Sequence, residues 1–197
     1  MPGPDPTERR KAIVDAAAEL FAAQGVSGTT VRQIADASGM VAGSLYHYYP
    51  SKHLIVQEII QGNLDDLLAG YQRVLHEHAD PRARLRALIL VSLETALAHP
   101  HASEVYQNEH TTLVQQEGFE FLRTAAADIQ KIWISAIEEG VASGHFRSDI
   151  PAPIFYRLIR DAVWLSVRWI QTDSRFSAEA LADECSSVFL DGILTGS

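Results

Sequence analysis

The chain carries a single cysteine, Cys185, among 197 residues, so no disulfide can close within it and no cysteine cluster can hold zinc. It has no apolar run near the roughly 20 residues that a membrane-spanning helix needs. Residues 1–11 lack the apolar core of a signal peptide and read as a flexible polar arm. These absences predict a soluble cytoplasmic protein with no membrane partner. Catalytic signatures are missing as well. There is no Gly-x-Ser-x-Gly elbow, no glycine-rich phosphate loop, and no pair of acids whose spacing marks them as reactive. Glu138 and Glu139 read as a solvated face. His99, His101, Glu104, Glu109 and His110 are poorly spaced for one helix face and fit solvated polar residues at a helix junction better than a metal site. The sequence predicts neither an enzyme nor a cofactor nor a metal centre.

Positive charge is also scarce. Sixteen basic residues stand against 25 acidic ones, for a net charge of −9, which at first argues against a nucleic-acid partner. The distribution reverses that reading. Up to Lys52 the chain is neutral, with Arg9, Arg10, Lys11, Arg32 and Lys52 balancing five acids, and the whole deficit lies beyond. A neutral head with local cations on an acidic body suits a protein that touches DNA with one end.

What the chain does have is helical periodicity, in eight or nine segments and with no convincing strand. Ile13, Val14, Ala17, Leu20 and Phe21 mark a helix from Thr7 to Gln24 that stops at Gly25. A long helix is expected from Ser51 to about His78, with Leu54, Ile55, Ile59, Leu64, Leu67, Leu68, Tyr71 and Leu75 as its apolar series. Asp80-Pro81 is an N-cap with proline at the first helical position, opening a helix that ends near His99-Pro100. A short helix is expected from Ala102 to Asn108, a long one from Phe119 to Ser143, and two more over Pro153–Gln171 and Ser177–Leu194. The expected fold is all-α. A three-helix head with a helix-turn-helix for binding DNA takes residues 1–52, and a helical bundle for effector binding and dimerisation takes residues 53–197.

The most informative stretch runs from Thr30 to Lys52. Thr30 and Gln33 form a capping box, Ile34, Ala35 and Ala37 give the first short helix its apolar side, and Ser38-Gly39 breaks it. In the second helix, Val41, Leu45 and Tyr49 fall at i, i+4 and i+8 and are expected to point into a core. Gly43 and His47, flanked by Ser44 and Tyr46, form the opposite side, where the backbone can approach base edges. Arg32, Ser44, Tyr46 and His47 are the expected base or backbone readers, Tyr48 a lesser one, and Lys52 the phosphate clamp.

The run Ser44-Leu-Tyr-His-Tyr-Tyr-Pro-Ser-Lys52 resembles the DNA-binding domain of TetR-family repressors, together with Phe21-Ala-Ala-Gln-Gly25 and Thr29-Thr-Val-Arg-Gln-Ile-Ala35 before it. The resemblance covers Ala12 to about Leu54. It implies binding to double-stranded operator DNA and a long helix after Ser51 that transmits ligand state to the head. A helical hairpin packed in a bundle is the alternative that the turn alone would allow.

A second segment, Tyr156 to Ile170, places Arg160, Trp164 and Arg168 in one stripe, with Arg157, Asp161 and Gln171 beside it. Phe155, Leu158, Ile159, Ala162, Leu165 and Trp169 are expected on the core side. Arginine forks around an indole suit a large anion with a flat ring, and equally a solvated face or a dimer contact. Four runs resemble one actinobacterial subgroup of the family: Thr29 to Asp36, Gly43 to His47, Val105-Tyr-Gln-Asn-Glu109, and Tyr156 to Trp169. This is the ketosteroid-type repressors that answer to CoA thioesters of steroid-ring remnants. The resemblance implies that Arg160, Trp164 and Arg168 meet the CoA part. The chain departs from the subgroup at Asn108, His110–Leu113 and Thr172–Arg175, which leaves a different acyl-CoA effector open.

Phe119, Phe121, Leu122, Ile129, Ile132, Trp133, Ile137, Leu88, Leu93, Tyr71 and Tyr106 sit at core spacing and as a group can line an acyl cavity, with Tyr106, Gln107 and Glu109 as polar candidates. Trp133 and Tyr106 join the stripe as expected effector contacts. The last two helices, through Trp169, Ile170, Leu181, Val188, Phe189 and Ile193, are expected to form a four-helix contact in a homodimer. The sequence thus predicts a repressor released by a small-molecule effector, a CoA thioester. Two alternatives stand beside it: a repressor that senses an uncharged drug or lipid, and a helical acyl-CoA-binding protein with a vestigial DNA head.

Overall fold

The computed structural model describes residues 5–172 and 177–192, with the backbone alone over 167–172. Nine α-helices and no strand occur among them. α1 (Pro6–Gly28) starts where Asp5 accepts the Thr7 N–H at 3.3 Å and proline takes the first helical position. Its buried stripe is Ile13, Ala17, Ala18 and Phe21. Helical geometry fails at Gly25, where φ is +77° and ψ 158°, a conformation that a β-carbon would strain. α2 (Val31–Ala37), α3 (Ala42–Tyr48) and the long α4 (Lys52–Glu77) follow. α5 (Pro81–Ala98) is capped by Asp80, whose carboxylate accepts the Ala83 N–H at 2.8 Å.

α6 (Pro100–Leu113) is one continuous helix of 14 residues, longer than the segment expected over Ala102–Asn108. Pro100 can occupy the first helical position without losing a hydrogen bond, so the helix starts earlier than its apolar pattern suggests. α7 (Phe121–Ala142), α8 (Ala152–Thr172) and α9 (Ala178–Asp191) complete the series. Ser177 caps α9 by accepting the Ala180 N–H at 3.1 Å.

The chain forms two compact units. The first comprises residues 1–64 and 99–123, in which α1 packs against α2 and α6, and α2 against α3. The second comprises residues 65–98 and 124–197, in which α5 packs against α8 and α9. Its core joins Tyr71 of α4, Leu85, Leu88, Ile89 and Leu93 of α5, Trp133 and Ile137 of α7, Tyr156, Ile159 and Val163 of α8, and Leu181 of α9. Removing side chains of this size from water contributes about 1.5–3 kcal/mol each, which is what holds helices of weak individual stability together.

Two expected core faces are corrected. On α8 the buried side is Tyr156, Ile159, Val163 and Ser166, while Leu158, Ala162 and Leu165 are exposed. The apolar residues of α8 fill one wide arc, about half the circumference, so the pattern alone does not say which edge of it meets the rest of the chain. On α3, Leu45 and Tyr49 are buried as expected, but Val41 is 76% exposed. It is the N-cap of α3 with extended backbone, φ −80° and ψ 136°, so helical phase does not govern where its side chain goes. Leu54, at the start of α4, is also exposed.

Candidate nucleic-acid and effector sites

The DNA-facing candidate is built by α2, its turn and α3. Thr30 Oγ1 accepts the Gln33 N–H at 3.2 Å, and Gln33 Oε1 accepts the Thr30 N–H at 2.8 Å, which completes the capping box. The chain leaves α2 through Gly39, at φ +69°, with the Met40 N–H donating to Ala35 O at 2.8 Å. Nothing lies within 4 Å of where a Gly39 β-carbon would be, so the backbone angle alone demands glycine there. Leu45 then anchors α3 in the core. Gly43, Ser44, Tyr46 and His47 are exposed, and Tyr48 is half-buried. Arg32, on α2, is exposed, with its guanidinium 4.0 Å from Asp36.

Lys52 has structural work of its own. Its Nζ donates to Val26 O at 2.6 Å and to Thr29 O at 2.8 Å, across the joint between α1 and α2. An ammonium has three donors, so one is left over for a phosphate. The other backbone group of the same residue is held from α6, where Glu109 Oε1 accepts the Val26 N–H at 3.0 Å. Thr29 Oγ1 closes the joint by donating to Gly25 O at 2.8 Å. Val26 is therefore gripped at its N–H by an acid and at its carbonyl by a base. The sequence placed Glu109 among polar pocket residues and gave no sign of this clasp.

Arg10, read as one of the local cations, is also engaged. Its Nε donates to both Glu58 carboxylate oxygens, at 2.9 and 3.1 Å, and its Nη2 closes the fork. The guanidinium lies 4.8 Å from the centre of the Tyr49 ring. Arg10 holds the Glu58 carboxyl below its ordinary range, and burial pushes the Tyr49 phenol above its own. Lys11 pairs with Asp15 at 2.5 Å. The start of α1 (Glu8, Arg9, Ala12), the turn into α3 (Ser38 to Val41) and Ser44 of α3 border an open concavity of about 320 Å³.

In the second unit the expected effector residues are linked by rings. Tyr71 and Trp133 meet edge to face with centres 6.0 Å apart, and Trp133 and Tyr156 are 6.2 Å apart. The Arg160 guanidinium lies 5.5 Å from the Tyr156 ring centre. Arg160 also donates from Nε to Asp161 at 2.8 Å, so part of its charge is answered by its neighbour. Trp164 is half-buried and Trp133 buried. Tyr71 donates to Ser92 Oγ at 2.7 Å, which in turn donates to Leu88 O, and burial pushes the Tyr71 phenol up to about 12. In the first unit, Tyr106 is buried with its ring edge-on to His110, centres 5.1 Å apart. The side chains of Arg168, Trp169, Ile170 and Gln171, residues 173–176, and Ile193 and Leu194 lie outside the described residues.

One further patch is apolar and exposed. Ile154, Leu158 and Leu165 share a side of α8, and Val188 is exposed on α9, which packs against it.

Residues 13–59 match the family model of bacterial regulatory proteins of the tetR family, and residues 78–193 match that of the tetracyclin repressor-like C-terminal domain. The chain is 40% identical to the HTH-type transcriptional repressor KstR2 of Rhodococcus jostii (strain RHA1) over 94% of its own length and 91% of the relative's. The structure of the ketosteroid transcriptional regulator KstR2 of Mycobacterium tuberculosis superposes with a TM-score of 0.89 at 34% identity, covering 95% of this chain and 96% of that one. A probable transcriptional regulatory protein, RHA5900, superposes with a TM-score of 0.86 at 38% identity, covering 95% of this chain and all of that one. These relatives are transcriptional regulators and not enzymes.

Proposed function

The chain belongs to the TetR family of bacterial transcriptional regulators, and from that premise we propose that it is a homodimeric repressor whose operator is released by a CoA thioester with a steroid-ring acyl group. Residues 1–52 carry the DNA contact, and residues 53–197 carry effector binding and dimerisation. The observation that carries the DNA reading is the outer side of α3, where Gly43, Ser44, Tyr46 and His47 stand exposed while Leu45 is buried beneath them. Ser44, Tyr46, His47 and Arg32 face base edges or backbone, with Tyr48 at the margin, and Lys52 gives its remaining donor to a phosphate. Dimerisation is supported by the exposed apolar residues of α8 and α9.

The effector reading is supported by likeness to ketosteroid regulators over nearly the whole chain and by the ring series that joins Trp133 to Arg160. Arg160, Trp164 and Arg168 hold the nucleotide part of the thioester, and Trp133 meets the acyl part. A second reading, an uncharged hydrophobic effector, is favoured by the pairing of Arg160 with Asp161, which leaves less charge for an anion.

One titration separates them. A steroid-ring acyl-CoA and its free acid are each added to the protein–operator complex. The thioester should release DNA at far lower concentration than the acid. Arg160→Met with Trp164→Leu should weaken the thioester response about ten- to a hundredfold and leave operator affinity near normal. Equal potency of acid and thioester, unchanged by the two substitutions, would remove the CoA reading and return the stripe to a surface or dimer-contact role.

A further inference from the structure

Val41 breaks the rules of its position twice. It is the N-cap of α3, where Ser, Thr, Asp or Asn normally offers an oxygen to the first free N–H groups of the helix, and no side chain caps α3. It is also the most exposed of the large apolar residues described, at 76%. Threonine would have the same shape and the same β-branched fit to extended backbone, with a hydroxyl for the cap. The chain therefore carries a methyl where a hydroxyl would serve the fold better, and packing does not compensate, because the side chain is bare. Its surroundings are open on both sides. No atom lies within 4 Å of where a Gly43 β-carbon would be, and Val41 borders the concavity shared with Arg9, Ala12 and Ser44. Local rules broken without a return inside the molecule point to a partner outside it.

We infer that Val41 is a specificity-determining residue whose isopropyl group packs on the C5 methyl of a thymine in the operator's major groove. The inference rests on the DNA-binding reading above. Residues at the start of a recognition helix are those that reach base edges, and the thymine methyl is the apolar group that the major groove displays. A contact between methyl groups needs no hydrogen bond, so it is compatible with a side chain that offers none. Gly43, two residues on, lets the helix come close enough for so short a side chain to touch a base.

Full-length protein is used to select an operator from random duplexes. Each thymidine of the selected half-sites is then replaced in turn by deoxyuridine, which lacks only the C5 methyl. At one thymine per half-site the wild type should lose about fourfold in affinity, and about fifteenfold when both half-sites are changed, as burial of one methyl each predicts. Val41→Ser should bind the thymine operator more weakly by a similar factor and be indifferent to deoxyuridine at that position. Its melting temperature should be unchanged or higher, because serine restores the cap. The inference is overturned if wild type and Val41→Ser respond alike to every deoxyuridine. It is equally overturned if Val41→Ser lowers the melting temperature, which would make the valine a packing residue. Failure to enrich any duplex would overturn the DNA-binding reading and this one with it.

Discussion

Two residues of the head have a part in the fold and, on the proposal above, in DNA contact, and their variants separate the two demands. Lys52 holds the carbonyls of Val26 and Thr29, so Lys52→Met removes two charge-assisted bonds at a half-buried site. It should cost about 1–2 kcal/mol of stability after allowance for partial exposure. Measured well below the melting transition, the same variant should weaken binding to all sequences and reduce the salt slope by roughly one. An unchanged slope would show that the ammonium serves only the fold. Gly43 gives the opposite signature. It lies inside a helix with open space around it, so Gly43→Ala should raise stability by about 0.5–1 kcal/mol. It should nevertheless weaken operator binding, because the added methyl holds α3 away from the bases. A variant that is both more stable and equally tight would remove close approach as the reason for this glycine.

Among the elements, α6 is the one whose role the periodicity hides. It packs against α1 and sends Glu109 to the Val26 N–H, at the joint that leads into α2. Glu109→Ala leaves that part-buried N–H without its acceptor and should cost about 1–3 kcal/mol, with Glu109→Gln recovering much of it through the amide oxygen. Thermal unfolding of the two variants checks this, and equal loss in both would mean that charge, not the hydrogen bond, is what α1 requires. α6 also gives the protein a pH dependence. Burial holds the His110 imidazole below its ordinary range. The unfolded chain then binds the proton first, so this contribution is complete above about pH 6.5 and is lost as pH falls below it. Glu58, held down by Arg10, yields its own contribution only under more acid conditions, below its ordinary 4.5. His110→Asn should therefore flatten the decline in melting temperature between pH 7 and 5 and leave the steeper acid limb in place.

For the molecule as a whole, the exposed apolar residues of α8 and α9 decide whether one chain is enough. Ile154, Leu158 and Leu165 lie uncovered on one side of α8, with Val188 on α9, and an apolar patch of this kind marks a contact surface. Leu158→Glu with Leu165→Glu should leave the helical content of each chain intact, because neither side chain belongs to the core. The dimer loses four leucines, two from each chain and each already about half covered there, so the cost should be about 3–6 kcal/mol, a rise of about a hundred- to ten-thousandfold in the dissociation constant. Light scattering should then find monomers at micromolar concentration, and operator affinity should fall with the loss of the paired heads. Persistence of the dimer would place its interface elsewhere.

Most of the fold was legible because helix signals are local. The Thr30–Gln33 box, the caps at Asp80 and Ser177, and the breaks at Gly25 and Gly39 each depend on residues within about one helical turn, and each stands where the sequence puts it. The buried Leu45 and Tyr49 of α3, and the exposed residues between them, follow from the same short-range periodicity. Only the tertiary structure decided which edge of the wide apolar arc of α8 faces inward, that Val41 escapes the phase of its helix, and that Arg10 and Lys52 are partly spent inside the protein. The Glu109–Val26 bond spans 83 residues of sequence, and the Arg10–Glu58 fork spans 48. Such partners are brought together by packing between helices, and a pattern that repeats every 3.6 residues says which side of a helix is apolar but not what that side will meet.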